Sequence, residues 1–548
     1  MKRILLLLAA LCGLCACVET PREHPMPYLD KSGEKTQLVV DGRPYLILGG
    51  ELWNSSASSS DYMARAGIWD RLQAAGLNTA LVPVYWELIE PAEGVFDFSI
   101  LDAAIREAAQ RDLRLVLLWF GSWKNSMSCY VPGWMKRQFG TKYPLVQEEQ
   151  GRTLEILSPF SELNRKQDER AFVALMNHLK MHDRRRTVIM VQVENEIGML
   201  QSARDHSAVA DSAYYAAAPQ PLIDYLKQQG DQCHPRLYEA WQRQGAPTTG
   251  TWEELLGAGI DTEEFFMAYH FATYVEAIAR AGKEVYNLPM YVNAALNSRG
   301  RKAGEYPSAG PLAHLWDVWH LAAPSIDFLA PDIYDPLFPE WIAQYDRAEN
   351  PLFVPEIQHE PRAENGARVF YAVGRHHALG FSPYAIDDAT PEKAGYALKE
   401  AYTILRNLSD EVLRAQREGR IHGVWFDHAH RETVLSIGDV ELCCRHDLTL
   451  GWSPQAAHAA QWSETAALVI ELANDEFLVA GTGVVITMRP RDAATRLLGI
   501  ERIDELDYRD PSLRVLRRLN GDENHQGRHL RIPFGSYGVQ RVKLYRVQ

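Results

Sequence analysis

The chain has 548 residues, 46% hydrophobic and 23% charged, with a formal net charge of −14. This is a globular composition long enough for two or three domains. It lacks the dense Lys/Arg patch of a nucleic-acid binder: the runs Arg111–Arg114 and His182–Arg186 are short turns between helix and strand. Three of the seven cysteines (Cys12, Cys15 and Cys17) lie in the N-terminal leader; the other four, Cys129, Cys233, Cys443 and Cys444, contain no C-x-x-C pair, so neither a zinc ribbon nor a disulfide framework is indicated.

Lys2 and Arg3 precede ILLLLAALCGL, an apolar run too short to span a bilayer and typical of a secretory leader. Leu14-Cys15-Ala16-Cys17 has the form of a bacterial lipobox, and cleavage before Cys17 would leave that cysteine to be acylated. Residues 1–16 are expected to be a lipoprotein signal peptide and 17–35, polar and Pro-containing, a tether. The expected location is the outer membrane, facing periplasm or cell surface, with the lipid as the only membrane contact. Plain secretion with a nearby cleavage site is the alternative.

From Thr36 short apolar runs alternate with helical periodicities. Strands are expected at Tyr45–Gly49, Thr79–Val84, Arg114–Phe120, Val188–Val191, Met290–Asn293, Phe328–Pro331, Leu352–Glu356 and Gly380–Tyr384. Helices are expected at Ser60–Ala75, Ile100–Gln110, Gln167–Met181, Thr262–Ala281, Trp341–Arg347, Glu364–His376 and Glu392–Arg417, with a long helical insert from Leu200 to Asp261. About eight βα units over residues 36–419 read as an α/β fold, a (β/α)8 TIM barrel with insertions. From about Arg420 the segments HGVWFD, TVLSI, ALVIELA, FLVAGTGVVITM and VQRVKLYRV are short and β-rich. Residues 420–548 are therefore expected to be an all-β, sandwich-like domain.

Two strand ends carry chemistry. TVIMVQVENEIG (Thr187–Gly198) is an apolar strand that stops at Glu194, Asn195 and Glu196; LFVPEIQ (Leu352–Gln358) stops at Glu356. Carboxylates at the end of a core strand are costly to bury without partners, and a barrel places its chemistry at that end. A lone strand-end Glu is most simply a structural ion pair. Two, on the fourth and seventh strands, are the minimum set for glycoside hydrolysis, one protonated to serve the leaving oxygen and one ionised.

With both segments, the chain resembles the clan of retaining (β/α)8 glycoside hydrolases. VQVENEIG is similar to the Q-V-E-N-E-Y-G of the family 35 β-galactosidases, and VPEIQ to the nucleophile segment of families 35 and 42. The resemblance implies Glu196 as acid/base and Glu356 as nucleophile, Asn195 on the sugar 2-hydroxyl, Glu194 behind the site, and Tyr334 against the nucleophile. It also matches Glu51 in GGELWN, and it places Tyr85, Trp86, Trp119, Trp123, Lys124 and Asn125 near the sugar. The segment after the third strand, WFGSWKNSMSCYVPGW, lacks the glutamate with which the family grips galactose.

The implied activity is a retaining exo-β-galactosidase acting on plant cell-wall oligosaccharides such as xyloglucan side chains. An oligosaccharide is then the partner, and no cofactor or metal is called for. The alternatives are a galactanase or agarase-like enzyme of the same clan, or a non-catalytic glycan-binding surface lipoprotein. His428, His430 and His446 fall in no recognisable metal frame and read as polar packing. Asp387 and Asp388 read equally as pocket or loop-capping residues.

Overall fold

A computed structural model describes residues 24–296, 299–358, 363–388 and 395–547. Cys17 and the leader lie outside them. Eight parallel strands form the barrel: Ile47–Leu48, Thr79–Tyr85, Arg114–Lys124, Val188–Asn195, Met290–Ala295, Phe328–Ile333, Val354–Ile357 and Gly380–Pro383. The fourth to seventh strands are buried along almost their whole length, as apolar runs with helices on one side and packed side chains on the other must be. The first strand joins the eighth, and the barrel closes where Glu51 bridges Leu81 and the Leu81 N–H donates to the Gly50 carbonyl.

The pair Gly49-Gly50 makes that closure possible. A Cβ on Gly49 would lie 2.2 Å from Ser382 Oγ, and one on Gly50 2.6 Å from Ile386. The first strand can press against the eighth only without side chains there, and this sets Glu51 at the barrel mouth.

Three local expectations are revised. The helix expected over 60–75 is two, Ser60–Arg65 and Ile68–Ala74, because Gly67 adopts φ +63° and breaks the ladder between them. The third strand runs on to Lys124. Within the expected tether, Tyr28–Asp30 is a strand paired with Gln37–Val40, and Asp30 accepts a hydrogen bond from Arg417 (2.5 Å). A polar composition concealed an edge strand that the barrel's last helix holds.

The C-terminal region is an antiparallel sheet of eight strands. Its longest members, Glu476–Pro490 and Leu530–Val547, bend near Gly483 (φ +64°), where their pairing shifts register. The sheet thereby curls around one apolar core containing Phe426, Val469, Val484, Ile503 and Val542. It packs on the barrel helix Asn365–Arg375. There Arg368 is buried and paired through Nε and Nη2 with Glu464, which also accepts from Trp425 Nε1 (2.8 Å). Among the described residues no helix is long and apolar enough to cross a membrane.

Candidate active site

The C-terminal ends of six barrel strands bring Glu51, Lys124, Asn195, Glu196, Asn293, Asp332, Tyr334 and Glu356 to one face. Register fixes two neighbours directly: Asp332 is the cross-strand partner of Glu356, and Lys124 of Asn195. One oxygen each of Glu196, Asp332 and Glu356 lie within 4.8 Å of one another, and all three residues are buried.

The backbone at Glu196 is unusual. Glu194 (φ +62°) and Glu196 (φ +46°) are both left-handed, as are Asn125 (φ +48°) and Ser126 (φ +66°) in the facing strap after the third strand. Each such residue costs on the order of 1 kcal/mol or more and persists only where its surroundings hold it. Here Asn125 N–H donates to the Asn195 carbonyl (3.2 Å) and Ser126 N–H to the Glu196 carbonyl (3.1 Å). The Glu196 N–H donates to Asn293 Oδ1 (3.0 Å), and Asn293 Nδ2 donates in turn to Asp332 Oδ2 (2.6 Å).

The two glutamates sit in different company. Glu196 Oε2 receives the Asn125 amide and, at 3.4 Å, the Lys124 ammonium. Glu356 Oε1 accepts from the Tyr334 hydroxyl, while its Oε2 meets no amide, hydroxyl or ammonium donor. Burial first, then the neighbouring Glu196 charge, push the Glu356 carboxyl from an ordinary 4.5 up to about 7; Lys124 and Tyr334 pull the other way. Burial, with the charge of Glu356 second, also raises Glu51 and Asp332 well above the usual carboxylate range. Lys124, buried among all four carboxyls, supplies their positive charge, and its own pKa is raised. The spacing of Glu196, Asp332 and Glu356 would also suit a cation, a position Lys124 already serves electrostatically.

Asn195 is fully buried, and neither side-chain polar atom has a protein partner. Tyr334 is 43% exposed at the rim. Tyr85 belongs to an aromatic wall, edge-on to Phe120 and beside Tyr130, with Lys124 Nζ 5.5 Å from the Phe120 ring centre.

The three tryptophans expected near the sugar lie elsewhere. Trp119 Nε1 donates to Asp168 Oδ1 (2.9 Å) on the helix Glu162–His182, and its ring meets Phe172. Trp123 packs edge-on to Phe271 and Tyr274 of the helix Ile260–Val285 and donates to the Leu157 carbonyl (3.2 Å). Trp86 donates to Glu90 (2.9 Å) and packs on Trp119. The strand pairing is irregular between Trp119 and Lys124: Trp119, Ser122 and Trp123 all meet the helix side, with Ser122 Oγ on Asp168 Oδ2 (2.5 Å), and Lys124, the next residue, takes the pocket side.

Glu194 is likewise behind the site. It accepts from Trp123 N–H (2.8 Å), and burial with the nearby Asp168 charge raises its pKa. Asp387 caps a loop, accepting from Trp53 N–H (3.0 Å) and Ser56 Oγ (2.5 Å). His446 uses both ring nitrogens on backbone groups. The four described cysteines are free thiols. Sequence reasoning missed Asp332 and Asn293. Asp332 stands at the end of the sixth strand, two residues before Tyr334, which lies just past it; that spacing is the one sequence signal for it.

Residues 63–256 match the sequence model of a glycoside hydrolase family 42 domain described as β-galactosidase, and residues 398–531 match a domain of unknown function, DUF5597. A curated β-galactosidase of Xanthomonas manihotis is 33% identical over 224 residues, 39% of this chain and 33% of that protein. The chain thus covers about one third of that relative's length. Solved β-galactosidases of Bacillus circulans sp. alkalophilus (17% identity, TM-score 0.45, 68% of this chain and 57% of that one), Marinomonas ef1 (13%, 0.45, 67% and 61%) and Rahnella sp. R3 (16%, 0.46, 67% and 57%) are similar in part.

Proposed function

We propose that the protein is a retaining β-galactosidase that releases terminal β-galactosyl residues from oligosaccharides, such as the side chains of plant xyloglucan. The observation that carries this reading is the pair Glu196 and Glu356, buried at the mouth of one barrel with oxygens within 4.8 Å. Retaining enzymes hold their carboxyl groups about 5–5.5 Å apart, whereas inverting ones leave room for a water.

Glu356 Oε2 attacks the anomeric carbon while Oε1 stays on the Tyr334 hydroxyl. Glu196 donates its proton to the departing oxygen as the C–O bond breaks. In the glycosyl-enzyme the Glu356 charge is gone, so Glu196, now ionised beside Lys124, takes a proton from water, and that water releases the sugar. Asn195, with both polar atoms unpartnered, is suited to the 2-hydroxyl. The family 35 form of the strand-four motif and the family 42 match of residues 63–256 both support a galactosidase. The leader and Cys17 support export and lipid anchoring at the outer membrane.

A panel of aryl β-glycosides tests the sugar: release from the β-galactoside is expected, and none from it alone would redirect the assignment to another β-glycosidase. Glu356→Gly with azide should give the inverted glycosyl azide. Wild-type activity in that variant would remove Glu356 from the mechanism.

A further inference from the structure

The left-handed backbone of Glu196 needs a support, and the structure provides one that reaches across two more strands. We propose that Asn293 and Asp332 are positioning residues for Glu196: Asp332 orients the Asn293 amide, and Asn293 holds the Glu196 backbone in the conformation that aims its carboxyl at Glu356. The inference rests on the reading of Glu196 as acid/base.

The geometry is continuous. Glu196 N–H donates to Asn293 Oδ1 at 3.0 Å, and Asn293 Nδ2 donates to Asp332 Oδ2 at 2.6 Å. Both residues are buried, so neither bond competes with water. An amide is required in the middle, because the link must accept at one end and donate at the other. Asp332 cannot be replaced there by bulk alone, since Asn293 Nδ2 would then be a buried donor without an acceptor. The register Asp332 to Glu356 ties the far end of the relay to the nucleophile's strand.

The surroundings of Asp332 favour its neutral form over the anion. The groups facing it are Glu356, Glu196 and Glu51, the ammonium of Lys124, and the hydroxyls of Tyr291, Tyr334 and Tyr345. Four buried carboxyls share one ammonium, so protons must be retained, and burial with the Glu356 charge raises Asp332 well above its ordinary range. Oδ2 accepts from Asn293. Oδ1 is buried and without a protein partner. An asparagine side chain has the same shape and the same pattern, an acceptor toward Asn293 and a donor on the other side.

The test compares Asn293→Leu, Asp332→Leu and Asp332→Asn in the full chain, on aryl β-galactosides with poor and with very acidic leaving groups. In kcat/KM, which reports the step that expels the leaving group, a misplaced acid/base matters only when that group needs a proton; the later release step, where Glu196 acts as base, is common to all substrates. Asn293→Leu and Asp332→Leu should lower kcat/KM at least about 30-fold on the poor leaving group and less than about 3-fold on the acidic one. Asp332→Asn should stay within about 3-fold on both, with neither limb of its pH profile displaced. Equal losses of kcat/KM on both leaving groups, or an Asp332→Asn variant as impaired as Asp332→Leu, would overturn the proposal. If Asn293→Leu does not fold, Asn293→Ala removes the acceptor without adding bulk, and the same leaving-group dependence is expected. A crystal structure of the Asn293 variant gives a readout independent of turnover: Glu196 should leave φ +46° and its carboxyl should move away from Glu356. An unmoved Glu196 would refute the relay. A wild-type protein inactive on every glycoside would instead refute the glycosidase reading.

Discussion

The Tyr334 hydroxyl donates to Glu356 Oε1, so the carboxyl at the end of the seventh strand is held by one oxygen and presents the other. A hydrogen bond to a charged acceptor contributes about 1.5–3 kcal/mol. Tyr334→Phe should therefore lower kcat/KM by roughly 10- to 100-fold. Because the lost bond favours the ionised form, the acid limb of the pH–rate profile should move to higher pH. An unchanged limb would separate Tyr334 from the nucleophile's ionisation.

Lys124 acts on the same equilibrium from the third strand. It is the positive charge facing Glu51, Glu196, Asp332 and Glu356. Lys124→Met should again shift the acid limb upward, since it removes a charge that lowers the Glu356 pKa. A change confined to KM would make Lys124 a sugar contact alone.

The raised Glu356 pKa also has a consequence for stability. Its carboxyl lies at about 7 in the fold against an ordinary 4.5. A group raised on folding contributes stability that is complete below its unfolded pKa and is lost as pH rises through the folded value. Ionised Glu356 should thus weaken the fold between about pH 4.5 and 7, by on the order of 3 kcal/mol. Glu356→Gln should raise the melting temperature at pH 8 and match the wild type near pH 4. A lower melting temperature at pH 8 would contradict the environment described for this residue.

Trp119 is a structural residue in this fold, its indole bonded to Asp168 and its ring against Phe172. Trp119→Phe removes a buried donor partner and leaves a void, and should cost about 1–3 kcal/mol in chemical denaturation. KM should change little. A large rise in KM with unchanged stability would return Trp119 to the sugar site.

The two strand-end glutamates were legible because an abrupt stop of an apolar run at a carboxylate is local, and the strand count then put them on the fourth and seventh strands of one barrel. The tryptophans were not, since WFGSWKN contains an irregularity in pairing between Trp119 and Lys124, and a one-residue offset decides which face each ring takes. Asn293 and Asp332 were not legible because their role depends on bonds between strands 39 residues apart. The Tyr28–Asp30 strand was hidden by polarity, as its partner and its Arg417 contact lie far along the chain. The close approach demanded of Gly49 and Gly50 was visible only as an unexplained doublet before Glu51.

The most direct test of the central claim is to trap the covalent intermediate with a 2-deoxy-2-fluoro-β-galactoside bearing a good leaving group, followed by peptide mass spectrometry. The account predicts one stoichiometric, slowly released label on Glu356. A label on Glu196 or elsewhere, or steady turnover with inversion at the anomeric carbon, would contradict it.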